Sequence, residues 1–334
     1  MLSKDEEKMK LNFEQIKEIV HGAARIEEVD GRVDLYRFTR EQQDMYENVS
    51  EDFYIRSFTT ANISLEFDTD SDFLGLEVSV KGGGSNCYFV HGIFVDGERI
   101  GELAGTVDSV VERTFFAKEF LLKSGIKRVK IVFPWEAASS IVGLKLEDGA
   151  KIVPVTKDCK LLIYGDSITQ GYSSAQPERT YAVQLATLMN AEVRNKAIGG
   201  EHFYPPLALL KDDFEPDVIV VAYGTNDWSH HLKEEFEETC VGFYKNLRNT
   251  YPNVKIIALT PLWRANLHEK KPIGVPLSYI AEYIKGVAEH VSDMKVIDCF
   301  DFIPHELQYY QADGLHPVDA GFDHYAKNLW NVLQ

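Results

Sequence analysis

The sequence is poor in positive charge. Lys and Arg number 35 against 52 Asp and Glu, a formal net charge of −17 at pH 7. Such a surface repels phosphate backbones and anionic headgroups, which argues against nucleic acid or a membrane as partner. Long apolar runs are also missing. The longest are strand-sized, as at 218–223, and too short to span a bilayer. The opening MLSKDEEKMKLNF has no apolar stretch of the signal-peptide kind, so a cytoplasmic location is expected. Cysteine is scarce: Cys87, Cys159, Cys240 and Cys299 are scattered without metal-ligand spacing and read as reduced thiols. Neither G-x-x-x-x-G-K-[ST] nor G-x-G-x-x-G follows a strand-like run, so no phosphate-cradling loop is expected. There is no internal repeat.

The 334 residues, 45% hydrophobic and 26% charged, suffice for two globular domains. The rhythm of the chain divides them at 155/156. Near the start, Asn12 and Gln15 have capping-box spacing, Leu11 can staple onto Ile16, and Phe13, Ile16, Ile19 and Val20 form one apolar helical face. Short runs rich in β-branched and aromatic residues follow. They predict strands near 33–38, 53–59, 62–67, 74–80, 88–95, 99–103, 114–120, 129–133 and 141–146, with a hairpin turn at Asp96-Gly97. That succession predicts a β-sandwich or jelly roll over residues 1–155.

Beyond residue 156 strand-like and helical runs alternate. Strands are expected at 161–164, 191–195, 217–223, 255–260 and 295–298, and helices at 181–190, 204–211, 233–250, 278–291 and 319–333. This pattern predicts a five-stranded parallel sheet covered on both faces, with any site in the loops beyond the strands' carboxyl ends.

Four short motifs fall at those ends or just before the last helix. Gly165-Asp166-Ser167-Ile168-Thr169-Gln170-Gly171 places a serine where the first strand turns toward a helix, with its own N–H free to face an oxyanion. Asn195-Lys196-Ala197-Ile198-Gly199-Gly200 offers a glycine N–H that can come close to a ligand. Gly224-Thr225-Asn226-Asp227 offers the Asn226 side-chain amide to the same charge. In Asp313-Gly314-Leu315-His316-Pro317 the histidine suits the general base that a serine nucleophile needs. An aspartate three residues earlier can hold its ring N–H. Alone, each has a plain structural explanation: a capping serine, a Gly-Gly loop, an Asx turn, a solvated loop. All four in order at one end of a sheet are harder to explain that way.

Together they resemble the conserved blocks of the SGNH (GDSL-type) hydrolase superfamily: GDSITQG the first, NKAIGG the second, GTND the third and DGLHP the fifth. The resemblance covers about the last 180 residues. It implies a flavodoxin-like three-layer α/β/α domain and a serine esterase that needs no metal or cofactor. Carried across, Ser167 is the nucleophile, His316 the base and Asp313 its orienting partner. Ser167, Gly200 and Asn226 are the oxyanion-hole donors, with Gly199 as the alternative to Gly200. Asp166 follows the motif and is expected only to shape the loop.

The N-terminal half is similar in layout to the jelly-roll domains that precede SGNH domains in some carbohydrate esterases, family 2 being the nearest analogy, and Phe94-Val95-Asp96-Gly97 fits it. Some members of that group lack the acidic partner; this sequence keeps Asp313. The implied substrate is a small ester, a short acyl group and first of all acetyl on a carbohydrate, since no long apolar lid is present. Trp228, Trp263 and Arg264 are candidate substrate-binding residues, with packing as the competing role for the tryptophans. His202, Phe203 and Tyr204 are candidates for the pocket wall. Competing readings are a thioesterase, lysophospholipase or arylesterase of the same superfamily, and a non-catalytic carbohydrate-binding protein. A homo-oligomer is compatible with the sequence.

Overall fold

A computed structural model describes residues 8–334, and the start of the N-terminal stretch read above lies outside them. The chain forms two compact units. The first runs up to Arg37 and resumes over Phe58–Lys157; the second joins Phe38–Ser57 to Asp158–Gln334.

In the first unit α1 spans Phe13–Ile19, and its Asn12 and Gln15 make the reciprocal capping box the sequence predicts. Among the described residues this unit has twelve strands, one before α1 and eleven after it. They are β1 Lys8–Lys10, β2 Val20–His21, β3 Arg25–Val29, β4 Arg32–Tyr36, β5 Ser64–Thr69, β6 Phe73–Gly82, β7 Tyr88–Val95, β8 Glu98–Thr106, β9 Thr114–Leu121, β10 Lys127–Val132, β11 Ala137–Glu147 and β12 Val153–Pro154. Two six-stranded antiparallel sheets result. One has the order β3-β4-β11-β6-β9 with β1 on β11, the other β12-β5-β10-β7-β8 with β2 on β5. Alternate residues of both point into one apolar core, among them Leu65 and Phe67, Leu74, Leu76 and Val78, and Val129 and Ile131. At Asp96-Gly97 both residues have positive φ, 49° and 85°, as a tight hairpin between β7 and β8 requires.

The insertion at 38–57 corrects the sequence reading. A strand is expected at 53–59, but the chain forms α2 over Arg40–Val49 and α3 over Glu51–Ser57. Thr39 and Gln42 make a second capping box at the start of α2. The aromatic and β-branched run Phe53-Tyr54-Ile55 suggests a strand, yet Glu51 and Asp52 suit a helix N-terminus. Phe53 packs edge-on to Tyr46, with ring centroids 6.2 Å apart.

The rest of the second unit is a five-stranded parallel sheet: β13 Cys159–Gly165, β14 Ala191–Asn195, β15 Val218–Ala222, β16 Lys255–Leu259 and β17 Met294–Ile297. Their order, β14-β13-β15-β16-β17, is that of the flavodoxin-like sheet. Strand periodicity divides the core. On β13, Leu161 and Ile163 pack on one face and Leu162 and Tyr164 on the other. The first face is covered by α5 (Tyr181–Leu188) and α9 (Asp319–Leu333), the second by α7 (Lys233–Thr250) and α8 (Leu277–Ala288). The helix expected at 204–211 is only a 3₁₀ turn at Leu207–Leu209, because Tyr204 and Pro205 each precede a proline, which disfavours the helical conformation there. No helix among the described residues is long and apolar enough to cross a membrane.

Candidate active site

Ser167 opens α4 (Ser167–Gln170), the short helix directly after β13. Asp166 caps it, its Oδ1 accepting the Ile168 N–H at 2.9 Å. Asp166 is 3% exposed. Burial pushes its carboxyl up to about 7 against the Ile168 hydrogen bond and the positive charge of Arg264. The sequence left this residue without a chemical part; its carboxyl fixes the first turn under the serine.

The Ser167 hydroxyl lies 2.8 Å from Nε2 of His316, and Nδ1 of His316 lies 2.6 Å from Oδ2 of Asp313. The carboxylate accepts the Nδ1–H hydrogen bond, which leaves Nε2 as acceptor for the serine hydroxyl. The other Asp313 oxygen accepts the backbone N–H groups of Leu315 and His316 at 2.8 and 3.0 Å, which tightens the turn. Burial works to raise the Asp313 carboxyl. The His316 side chain and the two N–H groups more than offset that and hold it below its ordinary range, so it stays ionised. A residue absent from the sequence reading is Tyr172, whose ring lies 4.7 Å from the His316 imidazole. Its place just after the GDSITQG motif was the available signal.

Beside the serine, the NKAIGG loop is tied to α4. The Asn195 side chain donates to the Thr169 carbonyl at 3.0 Å and accepts the Ala197 N–H at 2.9 Å. The Gly199 N–H is taken by Gln170 Oε1 at 2.7 Å. The N–H groups of Ser167 and Gly200 have no hydrogen-bond partner among the described residues. Asn226, in α6 (Thr225–His230), donates one Nδ2 hydrogen to the Glu201 carbonyl at 2.8 Å, which leaves the other. Glu201 is itself held through its carboxylate by the hydroxyls of Tyr46 and, at 2.9 Å, Tyr223. The structure therefore brings together Ser167, His316 and Asp313, and places the Gly199-Gly200 pair against the same serine. A side chain at Gly199 would meet the Ser167 Cβ at 3.7 Å.

Two of the expected ligand contacts are braces instead. Trp228 is 1% exposed and donates its Nε1–H to the Val275 carbonyl at 2.8 Å, so its ring has no face to offer a sugar. Arg264 is 5% exposed; its Nη1 donates to Thr225 Oγ1 at 3.0 Å and Ser229 Oγ at 2.8 Å, which pins α6. Phe203 is fully buried in the core rather than on a pocket wall, whereas His202 and Tyr204 are part-exposed. Trp263 is also part-exposed. It stacks on His305 at 5.0 Å and 11° and contacts Tyr310, which bridges to Pro317 beside His316.

Residues 163–324 match the model of the GDSL-like lipase/acylhydrolase family. The chain carries a GDSL-like lipase/acylhydrolase domain. Residues 163–324 thus form an acyl ester hydrolase domain of the GDSL-like kind, and an antiparallel β-sandwich comes before it in the chain. No curated protein sequence matches it significantly.

Among solved structures, a salicylyl-acyltransferase from a tetracycline biosynthetic pathway superposes with a TM-score of 0.81 at 20% identity, covering 94% of this chain and 93% of its own. A family two carbohydrate esterase from Cellvibrio japonicus gives 0.66 at 16% identity, covering 98% and 96%. An acetyl xylan esterase from the rumen bacterium Butyrivibrio proteoclasticus gives 0.65 at 14% identity, covering 98% and 97%. At these identities the likeness is one of fold over nearly the whole length of each chain.

Proposed function

We propose that this SGNH hydrolase removes short acyl groups, first of all acetyl, from carbohydrate esters through an acyl-enzyme on Ser167. The observation that carries the chemistry is the unbroken chain from Ser167 Oγ to His316 Nε2 at 2.8 Å and from His316 Nδ1 to Asp313 at 2.6 Å. As Oγ attacks the ester carbonyl carbon, His316 Nε2 takes the hydroxyl proton and Asp313 stabilises the imidazolium. The carbonyl oxygen gains a negative charge, which the N–H groups of Ser167 and Gly200 and the Asn226 amide receive. Each such donor contributes roughly 3–4 kcal/mol to the transition state. The imidazolium then gives its proton to the departing alcohol oxygen. A water oxygen then attacks the acyl carbon as His316 takes its proton, the bond to Ser167 Oγ breaks, and His316 returns the proton to Oγ as the acid leaves.

The Gly199 alternative is disfavoured because its N–H is bound to Gln170. The carbohydrate part of the proposal draws on the shared architecture with the two carbohydrate esterases and on the part-exposed, stacked Trp263. The negative net charge sets up no barrier to a neutral sugar ester. A non-catalytic sugar-binding role is disfavoured by the complete set of nucleophile, base, acid and donors.

Hydrolysis of p-nitrophenyl acetate by the wild type and by Ser167→Ala tests the chemistry. Turnover is expected in the first and lost in the second, and wild-type turnover in Ser167→Ala would overturn the assignment. A panel of acetylated xylo-oligosaccharides, acyl-CoA and lysophospholipid tests the substrate. Preference for the thioester or the lysolipid would overturn the sugar-ester part alone.

A further inference from the structure

The loop Gly199–Gly200–Glu201 is held by the two helices of the 38–57 insertion, which precede it far along the chain. Arg56 on α3 donates from Nη1 to the carbonyl oxygen of Gly199 at 2.6 Å, across 143 residues of sequence. Tyr46 on α2 donates its hydroxyl to the carboxylate of Glu201. The Arg56 side chain is 21% exposed and lies 3.7 Å from Asp52, one helical turn earlier. A side chain added at Gly200 would lie 3.4 Å from Arg56 Nη1 and 3.5 Å from Phe53 Cε1, so α3 sits directly against the glycine.

The carbonyl that Arg56 binds and the Gly200 N–H are opposite ends of one planar peptide unit. A donor fixed on the oxygen therefore fixes where the N–H points. A cationic donor also draws electron density toward the oxygen, which makes the N–H at the other end a stronger donor. Glu201, the next residue, fixes the loop from its far side. Its carboxylate is bound by Tyr46 and Tyr223, and its carbonyl receives the Asn226 amide.

We propose that Arg56 is a positioning residue for ester hydrolysis, orienting and polarising the Gly200 N–H through the Gly199 carbonyl. The inference rests on the reading of Gly200 as an oxyanion donor. Arg56 acts on the transition state through that peptide and not by holding the substrate. Its effect therefore falls on kcat rather than KM.

The test is steady-state hydrolysis of p-nitrophenyl acetate by Arg56→Met and Arg56→Gln, with inhibition by a trifluoromethyl ketone, which forms a tetrahedral oxyanion on the serine. Arg56→Met is expected to lower kcat by about tenfold, less than direct loss of an oxyanion donor, with KM within about twofold. Affinity for the ketone should fall by the same factor as kcat. Arg56→Gln keeps a neutral donor and should lose less, again in kcat. Unchanged kcat and ketone affinity, or a rise in KM alone, would overturn the proposal. If Arg56→Met does not fold, Arg56→Gln is read by the same criteria. A wild type that fails to cleave the ester defeats the underlying reading and this inference with it. An active wild type whose Arg56 variants are unaltered defeats this inference alone.

Discussion

Gln170 Oε1 accepts the backbone N–H of Gly199 at 2.7 Å, and Gln170 is 1% exposed. The two residues stand 29 apart in sequence, yet this bond determines which N–H of the Gly-Gly pair is left for a ligand. It also joins the fourth residue of the nucleophile helix to the loop beside it, so serine and donor are set by one another. Gln170→Leu removes the acceptor and strands a buried N–H, at a cost of about 1–3 kcal/mol. The expected outcome is a lower midpoint in thermal unfolding together with a lower kcat on p-nitrophenyl acetate. Unchanged kcat would mean that the loop holds its position without Gln170.

Asp313 sets the tautomer of His316. An asparagine there can turn its amide toward Nδ1 and leave the proton on Nε2, facing Ser167 with the wrong sign. Asp313→Asn is expected to lower kcat by about 10⁴-fold, as removal of the carboxylate does in other triads. The unfolding midpoint should barely move, because the side chain is 47% exposed and the amide oxygen can still accept the Leu315 and His316 N–H groups. Kinetics and differential scanning fluorimetry on one preparation check both halves.

Trp228 and Trp263 should separate stability from substrate affinity. Trp228 is buried and hydrogen-bonded to Val275, so Trp228→Ala is expected to destabilise by about 3–5 kcal/mol, read in urea unfolding. Trp263→Ala is expected to leave p-nitrophenyl acetate turnover nearly unchanged and to raise KM for acetylated xylo-oligosaccharides. A Trp263→Ala enzyme with unaltered KM on the sugar esters would remove that residue from the substrate site.

Asp227 makes stability depend on pH. It is fully buried, its Oδ1 accepts the Phe203 N–H at 3.3 Å, and its Oδ2 has no hydrogen-bond partner among the described residues. Burial pushes its carboxyl up to about 7, against the Phe203 hydrogen bond. Below pH 3.8 the group is protonated in both states. Above that the unfolded chain loses the proton while the folded chain keeps it, so stability falls as pH rises toward 7, by about 1.4 kcal/mol per pH unit. Asp227→Asn should match the wild type near pH 4 and exceed it in unfolding free energy at pH 8. Equal stability at pH 8 would contradict the account.

Much of this was legible along the chain because it is local. Asn12 and Gln15 are three residues apart, the helices at 233–250 and 319–333 are strongly periodic, and each motif at the sheet's end is contiguous. What escaped depends on partners far away in sequence. Phe53-Tyr54-Ile55 suggests a strand until Tyr46 and the loop near Gly200 are known to be its neighbours. Trp228 follows the GTND motif and Arg264 the strand expected at 255–260, but their exposure is decided by Val275, Thr225 and Ser229. Arg56 carried no motif at all; its part is visible only through its bond to Gly199.

The most direct measurement is active-site labelling with a fluorophosphonate, followed by peptide mass spectrometry of the wild type and of His316→Ala. A single adduct on Ser167, formed rapidly in the wild type and far more slowly without the imidazole, is the predicted result. An adduct on another serine, or equal labelling rates in the two proteins, would contradict the account.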